Sequence, residues 1–101
     1  MYAQNNCVIF ATSYRHRIWW RNLLEGVPVT LRVRGQTLKG IGEAITREAD
    51  VAKHLQAYLQ IVPTHAKYFN VTLDPDGKPD IGDVAHAARD RIGIRIELKT
   101  K

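Results

Sequence analysis

Residues 28–45, PVTLRVRGQTLKGIGEAI, decide the fold of this chain. Apolar and polar side chains alternate in the first half of the stretch, which is typical of a strand with one buried face. Gly35 predicts a tight turn into a second strand, Gln36–Ile45, so that the two segments form an antiparallel hairpin. Gly40 and Gly42 inside the second strand predict a bulge or a sharp bend, by which a sheet curls into a barrel.

The segments on either side of this hairpin supply two further strands and three helical pieces. Val8–Thr12 has the apolar run of a buried strand, and Arg17–Leu24 is predicted to form a short helix that stops at Gly26. The remaining predicted elements are a helix from Thr46 to a stop at Pro63, a helix capped by Asp80, and a half-buried strand over Ile92–Leu98, while residues 64–73 fit neither pattern. The order β-α-β-β-α-α-β favours a single α+β domain, residues 1–101, built on a small antiparallel barrel with flanking helices.

The net charge of +5 is confined to one part of the 101-residue chain. Residues 13–39 carry six basic side chains against Glu25 alone, whereas residues 40–101 carry nine basic and nine acidic ones. Both tryptophans lie in the same basic segment. A localised positive field beside large aromatic rings suits an anionic, planar ligand.

Composition excludes several classes of protein. Cys7 is the only cysteine, which rules out an internal disulfide and any cysteine-rich metal site. His54, His65 and His86 lack the paired spacing of metal ligands, so no metal is expected. No apolar run is long enough to span a bilayer, and the uncharged N-terminus lacks the basic start of a signal peptide. These features predict a soluble, cytoplasmic protein with no membrane contact.

The segment between the first strand and the hairpin, residues 13–24, contains the candidate phosphate ligands. Arg15 and Arg17 would hold a phosphate, because guanidinium groups fork onto phosphate oxygens and stay charged at cellular pH. The Ser13 hydroxyl and the free amides at the start of the helix would add donors to the same anion. The alternative is a solvated basic loop in which His16 is simply exposed.

Three more residues of this segment are candidates for binding or packing. Trp19 and Trp20 are adjacent on a helix and point roughly 100° apart. At least one of them is therefore expected to pack in the core or in a dimer interface, while the other lies beside a cofactor ring, and Trp20 is the candidate for that ring contact. Asn22 at mid-helix is expected to hydrogen-bond the preceding loop. No residue is identified as an essential acid or base, so the catalytic residues are unknown.

The unit of strand, loop, helix and hairpin resembles the split β-barrel flavin-binding proteins of the pyridoxamine-phosphate-oxidase-like superfamily, in particular the deazaflavin-dependent nitroreductase-like branch. The matching features are Thr12-Ser13, Trp19-Trp20-Arg21-Asn22-Leu23, Pro28-Val29-Thr30, Gly35 and Gly40–Ala44. The resemblance implies an FMN-binding split-barrel-like fold, FMN or the deazaflavin coenzyme F420 as cofactor, and hydride transfer to a small organic acceptor. The cofactor-binding residues that it implies are Thr12, Ser13, Arg15, Arg17, Trp20 and Asn22.

The chain differs from this family in its first residues. Family members usually begin with one or two more strands, joined by a Thr-Gly-Arg-Lys-Ser-Gly-like segment that helps to hold the cofactor phosphate, and nothing comparable precedes Cys7. Either a partner subunit completes the barrel, or the chain is a shortened relative that closes no cofactor site. Because Val8–Thr12 would otherwise be an exposed apolar edge, a homodimer is predicted.

The alternative to an oxidoreductase is a non-enzymatic module. Basic residues interleaved with aromatic ones are compatible with single-stranded nucleic acid, which binds through stacking and phosphate contacts. Nucleic acid is disfavoured as a partner because the arginines form no long track and the second half of the chain is neutral. The other non-enzymatic alternative is a structural remnant of the barrel that binds no cofactor.

Overall fold

Five strands form one open antiparallel sheet in the computed structural model, which describes residues 2–17 and 19–99. The strands are β1 (Ala3–Asn5), β2 (Val8–Tyr14), β3 (Val27–Val33), β4 (Gln36–Ile45) and β5 (Arg91–Leu98). Their order across the sheet is β1-β2-β5-β4-β3, so β5 lies between β2 and β4. The helices are α1 (Glu48–Ile61) and α2 (Ile81–Ala88), with 3-10 segments at Trp19–Leu23 and Pro63–Phe69. The predicted α+β class is confirmed.

The hairpin of β3 and β4 is confirmed, and it contains no bulge. Arg34 and Gly35 have φ angles of +50° and +80°, as a two-residue turn with left-handed residues requires. Pairing runs without interruption from Val33 opposite Gln36 to Val27 opposite Gly42. A Cβ atom on Gly40 would overlap the backbone carbonyl oxygen of Glu97, so glycine is needed there for close approach of β4 to β5.

The expectation that Val8–Thr12 would be an exposed edge is wrong for Val8–Phe10. β1 pairs with β2 on one side, from Ala3 opposite Phe10 to Asn5 opposite Val8, and β5 pairs with it on the other. The two sheet edges are therefore β1, which has three residues, and β3. In a two-residue hairpin the pair next to the turn is hydrogen-bonded, so the backbone groups of Pro28 and Arg32 point away from β4. A proline and an arginine at these positions blunt the edge.

The helices cover one face of the sheet. Val51, Leu55, Tyr58 and Leu59 of α1 recur at helical spacing and are fully buried. They pack with residues of α2 and of the Pro63–Phe69 segment in the larger of two apolar clusters. The predicted cap of α2 is confirmed, because the Asp80 carboxylate accepts a hydrogen bond from the Asp83 amide at 2.9 Å.

The opposite face of the sheet carries the smaller apolar cluster, in which Leu23, Ala44, Ile92 and Ile94 are buried. Leu23 belongs to the Trp19–Leu23 segment, a single 3-10 piece shorter than the helix predicted over Arg17–Leu24. A longer α-helix is not formed here, because a short helix must fix several backbone angles in exchange for very few hydrogen bonds. Ile18, within the predicted helix, lies outside the described residues. In the described part of the chain, no helix is both long and apolar enough to cross a membrane.

Candidate functional site: an aromatic–arginine cavity

A cavity of about 460 Å³ lies where β2 ends and β5 begins. Its lining residues are Thr12, Ser13, Tyr14, Arg17, Trp19, Tyr68 and Arg91. Two of these are arginines, three are large aromatic residues, and none of them is acidic. Small-molecule sites have volumes of this order and combine apolar walls with a few polar groups. We refer to it as the aromatic–arginine cavity.

The pairing of β2 with β5 places Arg91 in this cavity, since Tyr14 and Arg91 are direct partners in the ladder. The Arg91 guanidinium lies 4.6 Å from the ring centroids of both Tyr14 and Phe69. It donates hydrogen bonds to the Tyr14 hydroxyl at 3.2 Å and to the Tyr68 carbonyl oxygen at 3.4 Å. These contacts hold the guanidinium plane in one orientation.

The charge on Arg91 is not neutralised by a carboxylate within the described residues, where ion pairs join only Arg47 to Asp50 and Arg95 to Glu97. The second arginine of the cavity, Arg17, follows a turn in which its amide donates to the Tyr14 carbonyl oxygen at 3.1 Å. The cavity therefore has a positive field with no acidic group of its own to oppose it, a condition that favours an anion.

The aromatic residues of the cavity are accessible to a ligand. Trp19 is 49% exposed, Tyr68 53% and Tyr14 39%. The Tyr14 ring is already stacked by His16 at 5.6 Å and by the Arg91 guanidinium at 4.6 Å, so a flat ligand would stack on Trp19 or Tyr68. The cavity is therefore suited to a planar group that also carries negative charge.

Three of the six cofactor-binding residues predicted from the sequence, Thr12, Ser13 and Arg17, line this cavity. Thr12 and Ser13 are consecutive in β2, so their side chains point to opposite faces of the sheet. Ser13 is buried and pairs with Ile92. Strand β2 therefore brings the Thr12 hydroxyl to the cavity, and the turn after it brings the Arg17 guanidinium.

Arg15 lies outside this cavity and binds α2 instead. Its side chain donates to the carbonyl oxygens of Arg89 at 2.9 Å and Ala88 at 3.3 Å, and its amide donates to Asp90. The last carbonyl groups of a helix lack partners within the helix and carry partial negative charge, which a guanidinium satisfies. In the structure Arg15 therefore ties the loop to the end of α2.

The two tryptophans lie in different environments: Trp19 lines the cavity, and Trp20 packs against the smaller apolar cluster. Trp20 packs beside Leu23, and its indole nitrogen is buried with no hydrogen-bond partner among the described residues. The structure thus brings Trp19, in place of the predicted Trp20, to the cavity. Asn22 is exposed on the 3-10 segment and does not line it.

Sequence reasoning missed Tyr14, Tyr68 and Arg91 as candidate site residues. Arg91 opens the closing strand, but only the register with β2 reveals that it lies opposite Tyr14. Tyr68 belongs to residues 64–73, for which the sequence pattern favours neither helix nor strand. A local sequence pattern does not report contacts between distant segments. The weak signal that the sequence does offer for Arg91 is its position immediately before a predicted strand.

Below the cavity, a buried histidine supports β2 and β5. The His54 ring packs on Gly93, the direct partner of Thr12, and its Nε2 lies 2.7 Å from the Ala11 carbonyl oxygen. Because a carbonyl oxygen only accepts, Nε2 must carry the proton. Burial lowers the pKa of His54, while the hydrogen bond to Ala11 partly opposes this effect. The ring is thus held in its neutral form.

The lowered pKa predicts that acid destabilises the fold through His54. Above pH 6.5, the ordinary histidine pKa, the group is neutral in both the folded and the unfolded chain. Below it the unfolded chain takes up the proton first, so the free energy of unfolding decreases until the folded pKa is reached. Urea titrations from pH 7.5 to pH 5 should show this loss, at most about 1.4 kcal/mol per pH unit. His54→Gln should reduce the dependence of the free energy of unfolding on pH, whereas the control His86→Gln, at an exposed site, should not. Equal pH profiles for the unsubstituted protein and both variants would refute the prediction.

Among the described residues, no group of three or more histidine, cysteine, aspartate or glutamate side chains is arranged to hold a metal ion. Comparison with known proteins adds no family: no family model, curated protein or solved structure matches the chain. The fold and the cavity thus define a small α+β protein with an open antiparallel sheet and a cationic, aromatic-lined pocket.

Proposed function

We propose that the aromatic–arginine cavity binds a planar, phosphorylated cofactor, FMN or F420, and that the protein is an oxidoreductase of the nitroreductase-like type. The observation that carries this proposal is the combination of the exposed Trp19 and Tyr68 rings with two arginines and no acidic residue around one cavity. A ring system with a phosphate tail needs both kinds of surface. The residues present fit such a group, because Arg91 is pre-oriented and has no carboxylate partner within the described residues.

The residues would divide the work of binding as follows. Arg17 and Arg91 would hold the phosphate, since each guanidinium offers forked donors to its oxygens. Trp19 and Tyr68 would cover the ring and exclude water from it. The Thr12 hydroxyl would supply a neutral hydrogen bond.

A bound cofactor of this class supplies hydride chemistry to a small organic acceptor, and the chain's part is to bind and orient. No side chain that lines the cavity is proposed as an acid or base. The fold would be a split barrel. The half-buried apolar residues of the face opposite the helices, such as Val27 and Val29, support a homodimer that covers them. The mass of the protein in solution tests this second proposal.

Titration with the two cofactors tests the proposal directly. FMN and F420 are each added to the purified protein while tryptophan fluorescence is followed, and saturable quenching is expected for one of them. Trp19→Phe should remove most of the signal, because Trp19 lines the cavity and Trp20 is packed elsewhere. Absence of saturable binding by either compound would refute the proposed function.

A second candidate function is binding of single-stranded nucleic acid. The observation that favours it is the pairing of exposed rings with cations: Lys67 Nζ lies 5.2 Å from the Tyr68 ring, and Arg91 stacks on Tyr14. Bases stack on such rings while phosphates contact the cations. Oligonucleotide binding that weakens steeply with salt, without cofactor binding, would favour this function over the first.

A further inference from the structure

A second cavity, of about 470 Å³, lies between α1 and the helix-facing side of β2, β4 and β5. It shares no lining residue with the aromatic–arginine cavity. Phe10 and Ala57 contribute to an apolar floor, and the buried His54 ring lines the same space. The site is therefore separate from the proposed cofactor site. We call it the mixed-charge cavity.

Charged residues of both signs surround this floor. The basic ones are Arg47, Lys53 and Arg95, and the acidic ones are Glu43 and Asp50. Two of the cations already have partners: Arg47 Nε lies 3.9 Å from an oxygen of Asp50, and a terminal nitrogen of Arg95 lies 3.3 Å from an oxygen of Glu97. The remaining cation is Lys53. The remaining anion is Glu43, which lies directly opposite Arg95 in the β4–β5 ladder but forms no ion pair with it within 4.0 Å.

Lys53 and Glu43 have no ion pair within 4.0 Å and no side-chain hydrogen bond among residues 2–17 and 19–99. Lys53 belongs to α1 and Glu43 to β4, so they reach the cavity from opposite walls. A ligand with a single negative charge would be attracted by Lys53 but repelled by Glu43. A ligand with a single positive charge would be attracted by Glu43 but repelled by Lys53. A ligand with one charge of each sign satisfies both residues.

We propose that the mixed-charge cavity binds a small zwitterion of the amino-acid type, with its carboxylate at Lys53, its ammonium group at Glu43 and an apolar side chain on the floor beside Phe10. Each polar end of the ligand would form a charge-assisted hydrogen bond. The apolar side chain would cover surface that water now contacts. The cavity is large enough to accept an amino acid or a dipeptide.

Titration of isotope-labelled protein with L-leucine tests the proposal by NMR. The ring resonances of Phe10 and His54 and the amide resonances of residues 43–46 should shift saturably. The acid-only analogue 4-methylpentanoate and the amine-only analogue isopentylamine should each bind about tenfold more weakly or worse. No saturable shift, or equal affinity for the acid-only analogue, would overturn the proposal.

Paired variants then separate this site from others on the protein. Glu43→Gln and Lys53→Met should each weaken L-leucine binding about tenfold or more. Glu48→Gln and Lys39→Met make the same charge changes at exposed positions outside the cavity and should leave binding unchanged. Shifts confined to the aromatic–arginine cavity would also overturn the proposal. FMN or F420 binding should be unaffected by Glu43→Gln, so the two proposals fail independently.

Discussion

Replacing Arg91 with methionine should weaken the proposed binding of FMN or F420 by about 10- to 100-fold, because each hydrogen bond to a charged group contributes roughly 1.5–3 kcal/mol. Methionine keeps the unbranched apolar stem of the side chain but also loses the guanidinium contacts with the Tyr14 and Phe69 rings. What it removes is the charge and the planar fork that would hold a phosphate. The measurement is the dissociation constant for FMN and F420 from tryptophan quenching.

Two further variants show whether charge or geometry matters at this position. Arg91→Lys keeps the charge but loses the stacked, forked donor, so an intermediate loss of affinity is expected. Arg32→Met removes one positive charge from an exposed position of β3, far from the cavity lining, and should have little effect. If Arg32→Met and Arg91→Met weaken binding equally, the cofactor senses only net charge and the assigned cavity is wrong.

Gly93→Ala should be among the most destabilising single-methyl changes in the chain. A Cβ atom on Gly93 would lie 2.8 Å from both Cγ and Cδ2 of His54, closer than carbon atoms approach in proteins. The ring is 5% exposed and hydrogen-bonded to Ala11, so it has little room to move away. Overpacking of this kind costs about 1–3 kcal/mol in the free energy of unfolding, measured by urea denaturation.

A double-mutant cycle identifies the cause of that loss. His54→Ala is destabilising by itself because it empties a buried site, but in its background Gly93→Ala should cost much less, with a coupling energy of about 0.5–3 kcal/mol. Gly40→Ala is the matched control, since its Cβ would meet the backbone of Glu97, which no side-chain change relieves. The cost of Gly40→Ala should be the same with or without His54. An unchanged cost of Gly93→Ala in the His54→Ala background would show that the ring is not the obstacle.

Elements specified by local patterns were predictable from the sequence. The hairpin turn is indicated by Gly35, one of its two residues with positive φ, and the α2 cap depends on Asp80 and an amide three residues later. The alternation over Ile92–Leu98 predicts β5, although the strand is half-buried only in part, since Ile92, Gly93 and Ile94 are all buried. These signals lie within a few residues of the structure they specify.

The rest of the fold and site depends on contacts between distant segments. β1 has three residues, too few for a periodic signal, yet its pairing covers Val8–Phe10 of the predicted exposed edge. Arg15 has the residue type of a phosphate ligand, and only the position of α2 shows that it binds helix carbonyls. Trp19 and Trp20 are equivalent in composition, and the packing of the 3-10 segment decides which one is exposed.

The central position of β5 has a consequence for the order of folding. The other strands form two separate pairs, β1 with β2 and β3 with β4, and each pair is local in sequence. Isolated two-stranded hairpins are marginally stable in water. Only the insertion of residues 91–98 between them joins the pairs into one sheet, with ladders that span most of the chain. Pairing between segments so distant in sequence is slow. During synthesis the two hairpins should therefore remain separate until β5 has been made and pairs with both.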